Sequence, residues 1–141
     1  MNPWFPNIFS TAATVDVSRV GFDEIKMYIK NQPDSSCILI NTLPEHLQQC
    51  LINNTTHVQV EVQTINQCME EQNWNIRIYI YGMNHKDLTV ERKQKQLREF
   101  GFRNVHVYLG GLFEWLLLQD VYGKTEFPTT FIQTDILQYK P

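Results

Sequence analysis

The stretch IYIYGMNHKDLTVERKQKQLREFGFRNVHVYLGGLFEW, residues 78–115, decides the fold. Extended back to NIRIYIY, its start is rich in β-branched and aromatic side chains and predicts a strand. DLTVERKQKQLREFG predicts a helix with Asp87 as its N-cap and Gly101 as its stop. NVHVYL predicts a second strand, and GLFEWLLLQ a closing apolar helix. Strand, loop, helix and strand in this order predict an α/β domain with a largely parallel sheet.

The upstream residues extend the pattern. TVDVSRV predicts a short strand, and GFDEIKMYIKNQ places Phe22, Ile25 and Ile29 on one helical face before Pro33 and Asp34. CILIN is uniformly apolar at its centre, the pattern of a strand covered on both faces. TLPEHLQQCLI predicts a loop and short helix, with Pro44 suited to a first helical position. HVQVEV alternates cleanly and predicts another strand, followed by a helix over TINQCMEEQ with Thr64 as its cap. The expected fold is therefore α/β, with a central, mainly parallel five-stranded sheet flanked by helices. CILIN, NIRIYIY and NVHVYL are its expected interior strands. Residues 1–14 predict an extended N-terminal arm, 15–119 the domain, and 120–141 a C-terminal extension packed on the domain or on a partner.

At 141 residues the chain has room for one domain with a true core. A net charge of -3 provides no general attraction to nucleic acid or acidic membranes, and neither is an expected partner. The longest apolar runs, CILI and WLLL, are too short to span a bilayer. Cys37, Cys50 and Cys68 are odd in number and lack zinc or disulfide spacing, which predicts a reducing compartment, no metal and no cofactor. The N-terminus lacks the basic start and apolar run of a signal peptide. The expected location is cytoplasmic.

Three short motifs carry a resemblance. Tyr81 ends the first strand of the opening stretch, Gly101-Phe102-Arg103-Asn104-Val105 leads into the second, and Gly110-Gly111-Leu112-Phe113-Glu114-Trp115 follows it. In order and spacing they resemble the second half of the rhodanese homology domain over residues 17–119, which implies a three-layer domain of that family. The segment GGLFEWLLLQDVYGKTEFPTT looks like divergent rhodanese-like proteins of large DNA viruses, which would add the virion as a location. The family has Tyr-Cys at the strand end, an arginine closing the loop, and Asp-Val-Arg after an earlier strand. Here Gly82 follows Tyr81, Asp87 or Leu88 falls near the arginine, and Asn41-Thr42-Leu43 takes the place of Asp-Val-Arg. Leu51-Ile52-Asn53-Asn54-Thr55 stands where the family has His-Ile-Pro-Gly-Ala. The segment from Gly82 to Gly101 is about two residues longer than the usual spacing and resembles the family's phosphatase branch.

The resemblance implies a catalytically inactive domain, a pseudoenzyme, acting as a protein-binding or structural module. The alternative is a divergent sulfurtransferase or phosphatase-like enzyme using the enlarged 82–88 loop with a relocated nucleophile, for which Cys50 is the candidate. Gly82, Met83, Asn84, His85, Lys86 and Asp87 form the candidate loop and anion site, since helix N-termini attract anions. Asp87 opposes that role by its charge. His46 sits beside Glu45, and His57 and His106 fall in predicted strands without ligand spacing. Trp4, Phe5 and Phe9 are the candidate contact with a protein partner or a second copy, because aromatic side chains anchor interfaces.

Overall fold

The structure, a computed structural model, describes residues 18–141. Its elements are β1 (Arg19–Val20), α1 (Phe22–Lys30), β2 (Cys37–Asn41), a 3₁₀ turn (Glu45–Leu47), α2 (Val58–Glu70), β3 (Arg77–Tyr81), α3 (Leu88–Phe100), β4 (Val105–Tyr108), α4 (Gly111–Tyr122) and a final 3₁₀ turn (Ile136–Tyr139). The four strands are all parallel and lie in the order β1-β4-β3-β2. Ile80 of β3 stands between Ile40 of β2 and Val107 of β4, which fixes the register through the sheet.

Alternation along the strands separates two cores. Ile78, Ile80, Val105 and Val107 face Ile65 and Cys68 of α2 and Val90 and Leu97 of α3. Tyr79, Tyr81, Tyr108 and Leu39 point the other way, into a cluster with Ile25 and Tyr28 of α1 and Leu112, Trp115 and Leu116 of α4. Both faces of the sheet are thus covered by helices, the three-layer arrangement that uniformly apolar strands require.

Several expectations are corrected. The sheet has four strands, because HVQVEV is the first half of α2 and not a strand. Its cap is His57, whose Nδ1 accepts from Gln59 N at 3.3 Å, while Thr64 lies mid-helix and donates to Val60 O. The helical period wins because Glu61, Ile65 and Cys68 then share one buried face. Its cost is that Val58, Val60 and Val62 remain exposed. His57 is accordingly a helix cap and not a strand residue. The place of the expected fifth strand is taken by one parallel bridge, Leu39 with Thr55, where Thr56 N donates to Leu39 O at 2.7 Å.

CILIN is therefore the terminal strand of the four-stranded sheet rather than an interior one, although Leu39, Ile40 and Asn41 are buried. NIRIYIY and NVHVYL are interior, as β3 and β4. Pro44 precedes a single 3₁₀ turn instead of opening a helix. The last core helix continues to Tyr122. Beyond it, the chain folds back over the tyrosine face: Thr130 N donates to Leu51 O, Asn53 N to Pro128 O, and the Trp115 indole N–H to Pro128 O.

Candidate functional site

The carboxyl ends of parallel strands are where α/β sheets place ligands, and the β3–α3 loop lies there. Three of the four strand ends contribute. Thr42 follows β2, Gly82 to Asp87 follow β3, and Gly110 and Gly111 follow β4. Gly111 has φ +66, and a side chain on it would lie 2.7 Å from the Gly82 carbonyl. Only glycine permits that approach. The first amides of α4 then reach the loop: Leu112 N donates to Gly82 O and Phe113 N to Met83 O, both at 2.9 Å. The Gly-Gly pair clamps this loop to α4.

Gly82 is buried and has no space beside it. A Cβ there would fall inside the contact radius of Asp87 Oδ2, 2.6 Å from Val90 Cγ2 and 2.9 Å from the Thr42 hydroxyl. Asp87 explains the crowding. Its Oδ2 accepts from Met83 N at 2.9 Å, and its Oδ1 accepts from Thr89 N at 3.1 Å as the N-cap of α3. The Thr89 hydroxyl lies 2.5 Å from Asp87 Oδ1 and 2.8 Å from the Thr42 hydroxyl. Asn84 completes the loop: Lys86 N donates to its Oδ1 at 2.9 Å and Asp87 N to its backbone carbonyl. Four amides that could have faced an anion, those of Met83, Lys86, Asp87 and Thr89, are therefore committed to acceptors of the protein itself.

His85 and Lys86 are exposed, whereas Asn84 is buried and donates from Nδ2 to the carbonyl of Tyr139 at 2.8 Å. Beside the loop opens a cleft of about 610 Å³, lined by Thr42, Pro44, Met83, Lys86, Leu88 and Pro141 among others. The C-terminal residues thus reach the carboxyl ends of the strands, a contact with no local signal in the sequence. Thr42 and Thr89 meet although nothing local in the sequence ties two threonines 47 positions apart. Asn41 accepts from Leu43 N through Oδ1 at 3.0 Å and so holds the turn after β2.

Cys50 is buried under the C-terminal segment, where its thiol donates to Phe131 O at 3.4 Å. Burial pushes this thiol up from its ordinary range, as it does those of Cys37 and Cys68. All three shifts favour the protonated thiol, the less nucleophilic form. Among the described residues, no three His, Cys, Asp or Glu side chains converge to hold a metal, and no helix is long and apolar enough to cross a membrane. Trp4, Phe5 and Phe9 lie outside the described residues.

No family model matches the chain, and no curated protein sequence matches it either. Solved structures similar to it include the following two. The Alr3790 protein from Anabaena sp. is 18% identical with a TM-score of 0.57, over 84% of this chain and 97% of that one. The BH2092 protein from Bacillus halodurans is 12% identical with a TM-score of 0.60, over 94% of this chain and 98% of that one. At such identities the likeness is one of fold alone.

Proposed function

We propose that the chain is a rhodanese-like domain without sulfur-transfer chemistry, serving as a protein-binding module. The observation that carries this reading is the closed position at Gly82. Sulfur transfer in that family needs a thiolate at this strand end, cradled by loop amides and a helix N-terminus that lower its pKa. Here even a methyl group would collide with Asp87, Val90 and Thr42. Four of the amides at this loop and helix start, those of Met83, Lys86, Asp87 and Thr89, are bound by Asp87 and Asn84. Cys50 offers no substitute, since its thiol is raised by burial and engaged with a backbone carbonyl.

A binding role is supported by the apolar surface of the C-terminal region. Tyr122, Phe131, Ile132 and Leu137 are all more than half exposed, which is unusual for large apolar side chains grouped in one segment. The test is a thiosulfate and cyanide sulfurtransferase assay together with a generic aryl phosphatase assay. The expected result is no turnover above a buffer control. Turnover that disappears in Cys50→Ser would overturn the reading and establish a relocated nucleophile.

A further inference from the structure

We infer that the socket holding Tyr139 is the binding site of this module, filled in cis by the chain's own C-terminal strap and open in trans to the strap of a second copy. The inference rests on the protein-binding reading and names its site. The C-terminal extension has two parts with unequal attachment. Residues 127–131 are built into the body: Thr130 N donates to Leu51 O at 2.8 Å, Leu51 N to the Thr130 hydroxyl, and Gln119 Nε2 to Phe127 O at 2.8 Å. Residues 132–141 are tied to the body, among the described residues, by the one hydrogen bond from Asn84 Nδ2 to Tyr139 O.

What fixes the strap is the Tyr139 side chain, 1% exposed in the cluster that also holds Leu112 and Trp115. Leu137 on the same turn is 65% exposed and Lys140 is exposed, so the strap inserts one aromatic anchor, with Ile136 half-buried against the same cluster beside it. This is how a short peptide docks: one buried aromatic, one partly buried aliphatic neighbour and one directed backbone hydrogen bond. The joining residues 132–135 are mostly exposed, and four residues reach about 13 Å when extended. The strap can leave its socket without disturbing the pairing of residues 127–131.

Tethering explains why the socket is filled in cis. A short flexible linker gives an effective concentration on the order of 1 mM. If a free strap bound with a dissociation constant of about 10 μM, cis occupancy would weaken a trans strap roughly 100-fold. Exchange between copies follows wherever they are concentrated or the cis strap is released, the usual route to reciprocal dimers.

The test uses the full chain carrying Tyr139→Ala and a fluorescent peptide of residues 132–141. The variant should bind the peptide saturably, at least about tenfold more tightly than the wild type does. Adding Asn84→Ala should weaken that binding severalfold, and a peptide with alanine for the tyrosine should not bind. A folded Tyr139→Ala chain that fails to bind, or a wild type that binds equally well, overturns the inference. The wild-type chain supplies a measurement independent of any variant's folding. Amides of residues 136–140 should exchange with solvent at least about 100-fold faster than those of Asn53 and Thr130, because the strap opens locally. Equal rates would refute a detachable strap, while leaving the absence of sulfur transfer untouched.

Discussion

Gly82→Ala is the sharpest probe of the closed site. The new methyl meets Asp87 Oδ2, Val90 Cγ2 at 2.6 Å and the Thr42 hydroxyl at 2.9 Å, so at least two of the three must shift. Forcing a methyl into such a space costs about 1–3 kcal/mol. Moving Asp87 also loosens its bonds to Met83 N and Thr89 N, and losing a helix N-cap costs about 1 kcal/mol. The expected total is roughly 2–4 kcal/mol, read as a lower urea midpoint at unchanged slope. Asp87→Ala alone should cost about 1 kcal/mol. In that background Gly82→Ala should cost about 1 kcal/mol less than in the wild type, since one of its three collisions is gone. A Gly82→Ala chain within about 0.5 kcal/mol of the wild type, or strict additivity with Asp87→Ala, would refute this account of the loop. Gly82→Cys adds a larger atom at the same place, and the Asp87 carboxylate would resist ionisation of the new thiol. It should yield no sulfurtransferase activity.

Three further outcomes are expected. Glu61 is buried, with Oε2 2.8 Å from Lys93 Nζ and Oε1 without a partner, so Lys93→Met should destabilise by about 3 kcal/mol in urea while the pair Glu61→Leu with Lys93→Met restores most of it. The Tyr28 hydroxyl donates to Asn54 O at 2.7 Å, and burial pushes its pKa from 10.0 up to about 12. A raised pKa stabilises fully below pH 10 and is lost as pH climbs to about 12, because the unfolded chain ionises first. Tyr28→Phe should therefore lower stability at pH 7 by about 1 kcal/mol yet flatten its decline between pH 10 and 12, measured by chemical unfolding at each pH. His57→Asp should raise the melting temperature by a few degrees, since Asp is a better cap than His and suits a helix N-terminus.

The fold was most legible where local and tertiary demands agree. In β3, β4 and α3 the apolar pattern, the Asp87 cap and the Gly101 stop all specify the observed element. HVQVEV misled because its valine alternation is local, whereas the burial that decides it comes from Ile65 and Cys68 further along the same helix. The strand order placed β2 at the end of the sheet for a similar reason: the residues that would have paired beyond it went into α2, leaving only Thr55. Apolar composition reports how much a strand is covered and not whether it has two neighbours.

The site divides along the same line. Gly82 after Tyr81, and Asp87 as a cap, were legible because both follow from adjacent residues. The remaining contacts join residues far apart in sequence: Thr42 with Thr89, Asn84 with Tyr139, and Gly82 with Leu112. On the reading proposed above, these contacts also mean that one substitution would not install sulfur transfer. A cysteine at position 82 would need Asp87 removed for its charge, Val90 trimmed for its volume and Met83 N released for the thiolate, yet Asp87 is also the cap on which α3 begins. Each change that opens the pocket weakens the loop that shapes it. The closed loop is therefore self-supporting: the carboxylate that caps α3 and holds Met83 N is also the group that fills the space beside Gly82.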